Sequence, residues 1–301
     1  MPLRCNPQKA VPTYIAYFLR SAEFLSFANT VVAGAKMPRM VMSEFWKYQV
    51  PLPPLDEQRR IAAILDKADA LRAKRREALA QLDRLAQSIF VEMFGDPLTN
   101  SKRWPESTSL GEVADIVSGV TKGRKLEGKT TREVPYLAVA NVQDMRLNLS
   151  AVKRIAATEE EIERYALRDG DLLLTEGGDP DKLGRGTLWR CELPECIHQN
   201  HVFRVRVTSD SMTPYFLNWL VGSQRGKRYF LKSAKQTTGI ASINMTQLRG
   251  FPLLLPPLSV QREFEEAIGA LQQHTVRLRA AADSCNELFA ALQYRAFRGA
   301  L

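Results

Sequence analysis

From Ile61 onward, apolar side chains recur in steps of three and four. Ile61, Ile64, Ala68, Leu71, Ala78, Leu82, Leu85 and Ile89, with Arg75 in the register, average 3.5 residues per step. A period of 3.5 held over about four heptads predicts a long helix with a narrow seam that needs a partner helix. Pro53-Pro54-Leu55 lies just upstream, with Gln58-Arg59 in the first turn, and the paired prolines suit a helix boundary. The pattern returns 203 positions later. Pro256-Pro257-Leu258 and Gln261-Arg262 precede a second seam of Phe264, Ala267, Leu271, His274, Leu278, Ala281, Cys285, Leu288 and Leu292, with Ile268 beside Ala267 supplying lost bulk. The predicted interface residues are Ile61, Ile64, Leu71, Leu82, Leu85 and Ile89 on the first helix. On the second they are Phe264, Ala267, Ile268, Leu271, Leu278, Leu288 and Leu292. Each rod, some 37 residues, would reach roughly 55 Å.

Weaker similarity extends upstream. Tyr14, Phe18 and Leu19 answer Tyr215, Trp219 and Leu220 at an offset of 201, and Met42 answers Met245 at 203. The repeating unit therefore includes the end of a globular domain as well as a helix. Residues 107–253 read differently. Strand-like runs at 134–139, 171–174 and 202–207 alternate with glycine-rich turns, and short helices are predicted at 158–166, behind a Thr158 cap, and from Thr213 to about Tyr229. The fold class is α+β: a mixed α/β domain plus two long helices that close as an antiparallel coiled coil. The predicted segments are 1–52, the tail of a first globular domain; 53–95, the first long helix; 96–106, a linker; 107–253, a complete domain; and 254–301, the second long helix.

Composition narrows the class. At 301 residues, with 45% hydrophobic and 25% charged residues, the chain is neither disordered nor a disulfide-stapled miniprotein. It has no apolar run of membrane-spanning length and no signal-peptide core at its start, and its four cysteines are scattered, so a cytoplasmic location is expected. The net charge of +9 favours a polyanionic partner. The two helical segments are nearly neutral, so the surplus lies in the globular parts.

Residues 122–132 hold five basic side chains, Lys122, Arg124, Lys125, Lys129 and Arg132, against Glu127 alone. A second cluster, Arg225, Lys227, Arg228, Lys232 and Lys235, runs into the polar turn with Thr237 and Thr238. Such side chains neutralise phosphates, while Arg, Gln and Asn can also read base edges. Lys182 and Arg185, on a Gly/Asp-rich turn, and Gln199 and Asn200 complete the candidate DNA-binding set. Either cluster could instead be a solvated face.

Three catalytic or metal readings are weaker. Gly123 to Thr130 satisfies the G-x-x-x-x-G-K-[ST] phosphate-loop pattern, but the chain then runs into Val134-Pro135 and an expected strand, where a phosphate loop must open a helix. Cys191, Cys196, His198 and His201 could supply four zinc ligands, but the spacing fits no finger pattern; Leu193-Pro194-Glu195 reads as a hairpin tip, which would turn alternate residues to opposite faces. Residues 170–186 depart from the calcium-loop spacing. No metal site and no nucleophile-base pair is expected.

The Pro-Pro-Leu-x-x-Gln-Arg helix start at 53–59, its copy at 256–262, and Leu110-Gly111-Glu112-Val113-Ala114, Ala140-Asn141-Val142-Gln143 and Gly170-Asp171-Leu172-Leu173 between them resemble the DNA-specificity subunit of type I restriction-modification systems. The resemblance spans essentially the whole chain. It implies a noncatalytic subunit whose target recognition domains read a split DNA site, while paired helices set the spacing and dock methyltransferase subunits. It further implies that S-adenosylmethionine, ATP and magnesium sit on the methyltransferase and restriction/translocase partners, with no cofactor bound by this chain.

One departure matters. Family members usually carry two complete recognition domains, whereas only about 50 residues precede the first helix here. Either two chains pair through the long helices as a homodimer, or the chain is a remnant or shuffling cassette of a longer gene. The alternative to the whole reading is a stand-alone nucleotide-binding enzyme using 123–130.

Overall fold

The computed structural model describes residues 3–33, 39–178, 183–237 and 240–301, with the backbone alone at 235–237 and 240. The chain forms two compact units, residues 1–85 with 271–301, and residues 86–270. The first unit contains α1 (Pro12–Phe18), α2 (Ala22–Thr30), the two-residue strands β1 (Val32–Ala33) and β2 (Arg39–Met40), α3 (Met42–Phe45) and most of α4 (Leu55–Phe94). The second begins with the last turns of α4 and continues through α5 (Leu110–Val113), β3 (Ala114–Ser118), β4 (Arg132–Leu137), β5 (Val142–Gln143), β6 (Arg146–Leu147), β7 (Lys153–Ala157), α6 (Glu159–Tyr165), β8 (Leu172–Thr175) and β9 (Gly177–Gly178). It then runs through β10 (Gly186–Leu188), β11 (Ile197–His198), β12 (Val202–Val207), α7 (Pro214–Gly222), α8 (Gln224–Ser233), β13 (Lys235–Thr237), β14 (Ile240–Ser242) and α9 (Met245–Arg249). The 39-residue α10 (Leu258–Ala296) starts in the second unit and ends in the first.

In the first unit, α1 packs on the start of α4 and the end of α10. Tyr14, Phe18, Ile61, Leu65 and Phe297 form its buried core, with Tyr14 and Phe18 edge-on to the Phe297 ring at 5.4 and 5.1 Å. The two long helices run antiparallel here, since residue numbers rise along α4 as their partners on α10 fall. Arg72 donates from Nε to Asn286 Oδ1 at 2.8 Å and lies 4.2 Å over the Phe289 ring. A fully buried amide locks the corner. Gln58 Oε1 accepts from Val11 N, and its Nε2 donates to Lys9 O and Pro53 O.

The second unit repeats this corner with the helices exchanged. α7 packs on the start of α10 and the end of α4, and Phe94 lies 4.5 Å from Phe216 and 5.1 Å from Phe264. Gln261 Oε1 accepts from Thr213 N, while its Nε2 donates to Ser211 O and Pro256 O. The repeat is thus real, but its upstream part aligns at 202 rather than 201. Pro12 and Pro214 each stand in the first helical turn, so Tyr14 answers Phe216, and Tyr17 answers Trp219.

The helical pattern is borne out as two long helices, but two of the nine seam positions on the first, 71 and 85, and three of the nine on the second, 267, 274 and 288, are exposed. From 61 onward the buried or half-buried positions of α4 are 61, 62, 64, 65, 68, 69, 72, 75, 78, 79, 82, 86, 89, 90, 93 and 94, and from 264 onward those of α10 are 264, 265, 268, 269, 271, 275, 278, 281, 282, 285, 289, 292, 293 and 296. Ile61, Ile64, Leu82, Ile89, Phe264, Ile268, Leu271, Leu278 and Leu292 are buried or half-buried. Leu71, Leu85 and Leu288 are 40, 48 and 52% exposed, and Ala267 is exposed as well. They are corrected to the rim. Leu65, Arg72, Ala86, Ile268 and Phe289, one position on, take the places the seam needed.

A side-chain cap ends α4. Gly95 turns at φ +77°, Lys102 Nζ donates to Glu92 O and Met93 O, and Trp104 Nε1 donates to Phe94 O. These bonds satisfy carbonyls that a helix C-terminus leaves open, so the segment expected as a linker is an ordered cap.

The mixed domain is built on an antiparallel sheet in the order β10-β8-β12-β3. Beside it, β11 joins β4 in parallel and β4 pairs antiparallel with β7. The expected strands at 134–139, 171–174 and 202–207 form as β4, β8 and β12, and Thr158 caps α6 with its hydroxyl accepting from Glu161 N. Two expectations change. The helix from Thr213 breaks at Ser223, which is extended at φ −71°, ψ 172°, giving α7 and α8. Residues 193–195 are no hairpin tip, because β10 pairs with β8 whereas β11 pairs with β4.

Candidate nucleic-acid interface

The sheet directs its loops to one end. β3 finishes at Ser118, opposite Phe203 near the start of β12; Val202 faces Thr175 at the end of β8; and Leu174 faces Gly186 at the start of β10. The segments 119–131, 199–201 and those leaving Thr175 and entering Gly186 therefore meet at the same edge of the domain. Close backbone packing holds them together. Val120 bridges Gln199 in parallel, and a Cβ on Gly119 would fall 1.9 Å from His198 O. β14 pairs with β9, bringing the 235–242 hairpin to the segment after Thr175.

Of the predicted contacts, Lys122, Lys125 and Lys129 are exposed on the first loop, and Gln199 and Asn200 are half-buried at its base. Arg124 differs. Its guanidinium forms a bidentate pair with Glu161, Nε to Oε1 at 2.5 Å and Nη2 to Oε2 at 2.7 Å, and also donates to Ala156 O. Glu161 is held below the ordinary carboxylate range chiefly by that bond, and Arg124 is raised in turn. Arg124 therefore fastens the loop to α6 instead of standing free for phosphate.

The second cluster divides in the same way. Lys227, Arg228 and Lys232 are exposed on α8, while Arg225 is half-buried and donates to Glu106 Oε2, Pro252 O and Pro97 O. Arg185 and Lys227 line a cavity of about 350 Å³ together with Arg146, Gln143 and Asp144. Arg185 Nη1 donates to Gln143 Oε1 at 3.3 Å. This cavity joins the α8 cluster to the segment entering Gly186, with Arg146 as a cation that charge runs along the sequence did not reveal. Thr237 lies in β13 with its backbone alone described, and Lys182 and Thr238 lie outside the described residues.

The nucleotide and metal motifs lose their geometry. Gly123 and Gly128 are both in turns at φ +76°, and Thr130 is followed by β4, not by a helix whose amides could receive phosphate. Cys191 is exposed, whereas Cys196 is buried and its thiol is pushed up to about 12 by that burial. His198 is fully buried with Nδ1 2.7 Å from Val202 O, and burial lowers it to about 4. His201 instead faces Glu176, Nδ1 to Oε2 at 2.6 Å. Among the described residues no group of three or more His, Cys, Asp or Glu is placed to hold a metal ion.

Sequence reasoning also missed what stiffens the sheet. Asp171, with no exposed side-chain surface, accepts two bonds from Arg206 at 2.7 Å and one from Arg168 N, and the nearly buried Arg204 reaches Asp115 at 2.8 Å. The alternating Arg-Val-Arg of β12 was the available signal, since it places both arginines on one face.

Residues 3–82 match the family described as Type I restriction modification DNA specificity domain. Full-length similarity points the same way. The chain is 26% identical over 314 aligned residues to the type I restriction enzyme StySPI specificity subunit of Salmonella potsdam, covering 98% of this chain and 67% of that protein. It is 24% identical to the EcoKI specificity subunit of Escherichia coli strain K12, with the same coverage. The chain is similar along nearly its whole length to type I restriction-modification specificity subunits. The chain spans about two thirds of the length of those relatives. Its fold is similar to the type I restriction-modification S subunit from M. genitalium (15% identity, TM-score 0.52, 97% of this chain and 74% of that one). A chain from a structural study of type I complex assembly and conformational transition is similar at 19% identity and TM-score 0.50, covering 99% of this chain and 74% of that one. Among the described residues no helix is long and apolar enough to cross a membrane.

Proposed function

We propose that this chain is the noncatalytic DNA-reading subunit of a type I complex, and that residues 107–253 are its complete target recognition domain. The observation that supports this most is the gathering of three loops at one end of the β10-β8-β12-β3 sheet, carrying exposed Lys122, Lys125 and Lys129 beside the amides of Gln199 and Asn200. Cations over polar base-reading groups are what a duplex requires: the first neutralise phosphates, the second distinguish bases. Lys227, Arg228 and Lys232 extend the phosphate contact along α8.

Under this reading the long helices dock methyltransferase subunits, a restriction/translocase subunit completes the assembly in the cytoplasm, and S-adenosylmethionine, ATP and magnesium are used by those partners. Because the seams of α4 and α10 cover each other within one chain, pairing of two copies through these helices would use exposed apolar positions such as Leu71, Leu85, Val276 and Leu288.

Two measurements test the reading. Methylome sequencing of cells that express this chain with its methyltransferase subunit should show a defined modified motif that disappears without the chain. Substituting Lys122 and Lys125 by Ala should weaken duplex binding across all sequences and reduce the slope of log affinity against log salt by about one per lysine. An unchanged slope counts against the loop, and an unmodified genome counts against the function.

A further inference from the structure

We propose that Glu176 and His201 position Asn200 so that its carboxamide reads an adenine edge; this rests on the DNA-reading function above. Asn200 has a fixed backbone. Its N–H donates to Val120 O at 2.9 Å, and its carbonyl accepts from Ser118 Oγ at 2.6 Å. The freedom that remains is in the side chain, and His201 restricts it.

Asn200 Nδ2 lies 3.4 Å from His201 Nε2, and His201 Nδ1 lies 2.6 Å from Glu176 Oε2. A carboxylate can only accept, so Nδ1 carries a proton, and in that tautomer of the imidazole Nε2 is an acceptor. One Nδ2–H of Asn200 then points to the ring, which selects one of the two amide orientations. The other Nδ2–H and Oδ1 are left side by side, a donor next to an acceptor. That pair complements N7 and the N6 amino group of adenine in the major groove.

Glu176 is itself held on two sides. Its N–H donates to His201 O at 3.0 Å, and its carbonyl accepts from Ile243 N at 2.9 Å. The relay thus draws on the segment after β8, the 199–201 turn and the end of β14. Its exposure argues against a role in the core: the His201 and Glu176 side chains are 55 and 33% exposed. A pair so open to water adds little stability, so what it supplies is orientation.

The test is selection of bound duplexes from a randomised library by the purified full chain, followed by sequencing. Wild type should select a motif with at least one strongly preferred adenine. Asn200→Ala, His201→Ala and Glu176→Ala should each lose roughly tenfold preference at that same position, the scale of one bidentate base contact, and keep the others. Glu176→Gln, whose Oε1 still accepts from Nδ1–H, should retain it. Lys122→Ala serves as the contrast, weakening binding without altering the motif.

Unchanged selection by His201→Ala and Glu176→Ala overturns the proposal. So does an equal loss at every position accompanied by a lower melting temperature, which would mark the pair as structural. A wild-type chain that binds duplexes with no preference overturns the DNA-reading function itself, before any variant is compared, and the proposal with it.

Discussion

Gln58 and Gln261 stand 203 positions apart in sequence and make the same three hydrogen bonds, each accepting from the backbone just ahead of a short helix and donating to two carbonyls. Both are fully buried. Each amide closes a corner where a chain reversal meets the first turn of a long helix. The buried amide has no water to turn to, so it needs its bond set in full.

Substituting either glutamine by Ala should therefore cost about 3 kcal/mol, because buried donors and acceptors lose their partners as well as their packing. Leu, close in volume but without the amide, should fare no better. Urea unfolding measures this; a loss below about 1 kcal/mol for both Leu variants would show that the corners do not depend on the amides.

The shifted seam makes a paired prediction. Leu65→Ala removes a side chain with no exposed surface and should cost 2–5 kcal/mol, whereas Leu71→Ala, at the rim, should cost less than about 1 kcal/mol. Equal losses in thermal or chemical melts would restore the register read from the sequence.

Arg124 and Lys122 share a loop but should behave differently. Arg124→Ala leaves Glu161 without its bidentate partner and should destabilise the fold by about 2 kcal/mol. Lys122→Ala should leave the melting temperature unchanged and alter only duplex affinity. Differential scanning fluorimetry beside a binding isotherm separates the two effects.

His198 predicts an acid sensitivity with a definite sign. Burial lowers it to about 4 in the folded chain, against about 6.5 when unfolded, so between those values the unfolded chain binds the extra proton. Its contribution is fully present above pH 6.5 and is lost as pH falls toward 4, on the order of 3 kcal/mol over the whole window at 1.36 kcal/mol per unit. Unfolding of wild type and His198→Gln between pH 7 and 4.5 checks this; parallel pH profiles would contradict it.

The long helices were legible because a 3.5-residue period repeated for about eight turns outweighs any local ambiguity, and because the glutamine-bearing start recurs. The register was harder to read. Leu71, Leu85 and Leu288 are apolar and correctly spaced from Ile61 or Phe264, while Arg72 and Thr275 occupy covered positions that a hydrophobicity pattern discards. Within the mixed domain the strands at 172–175 and 202–207 were readable as apolar runs, but their partners were not. The parallel join of β11 to β4 brings together residues some sixty apart, and such pairings leave no trace in local composition. The basic clusters were visible as charge runs. That Arg124 and Arg225 are tied down inside the domain depends on Glu161 and Glu106, which are distant in sequence. The Glu176–His201 contact joins single residues 25 apart and has no periodic signature.

The bend at Gly119 has a consequence for how such a protein diversifies. With His198 O so near that no methyl group fits, the point where the chain leaves β3 is closed to change, whereas the loop beyond Val120 is fastened to α6 through Arg124 and exposes Lys122, Lys125 and Lys129 before β4 begins. Away from Arg124, new letters can be tried at the exposed positions without disturbing the scaffold beneath. A lineage can thereby change what this surface meets by rewriting a few exposed residues, with the rest of the fold left as it was.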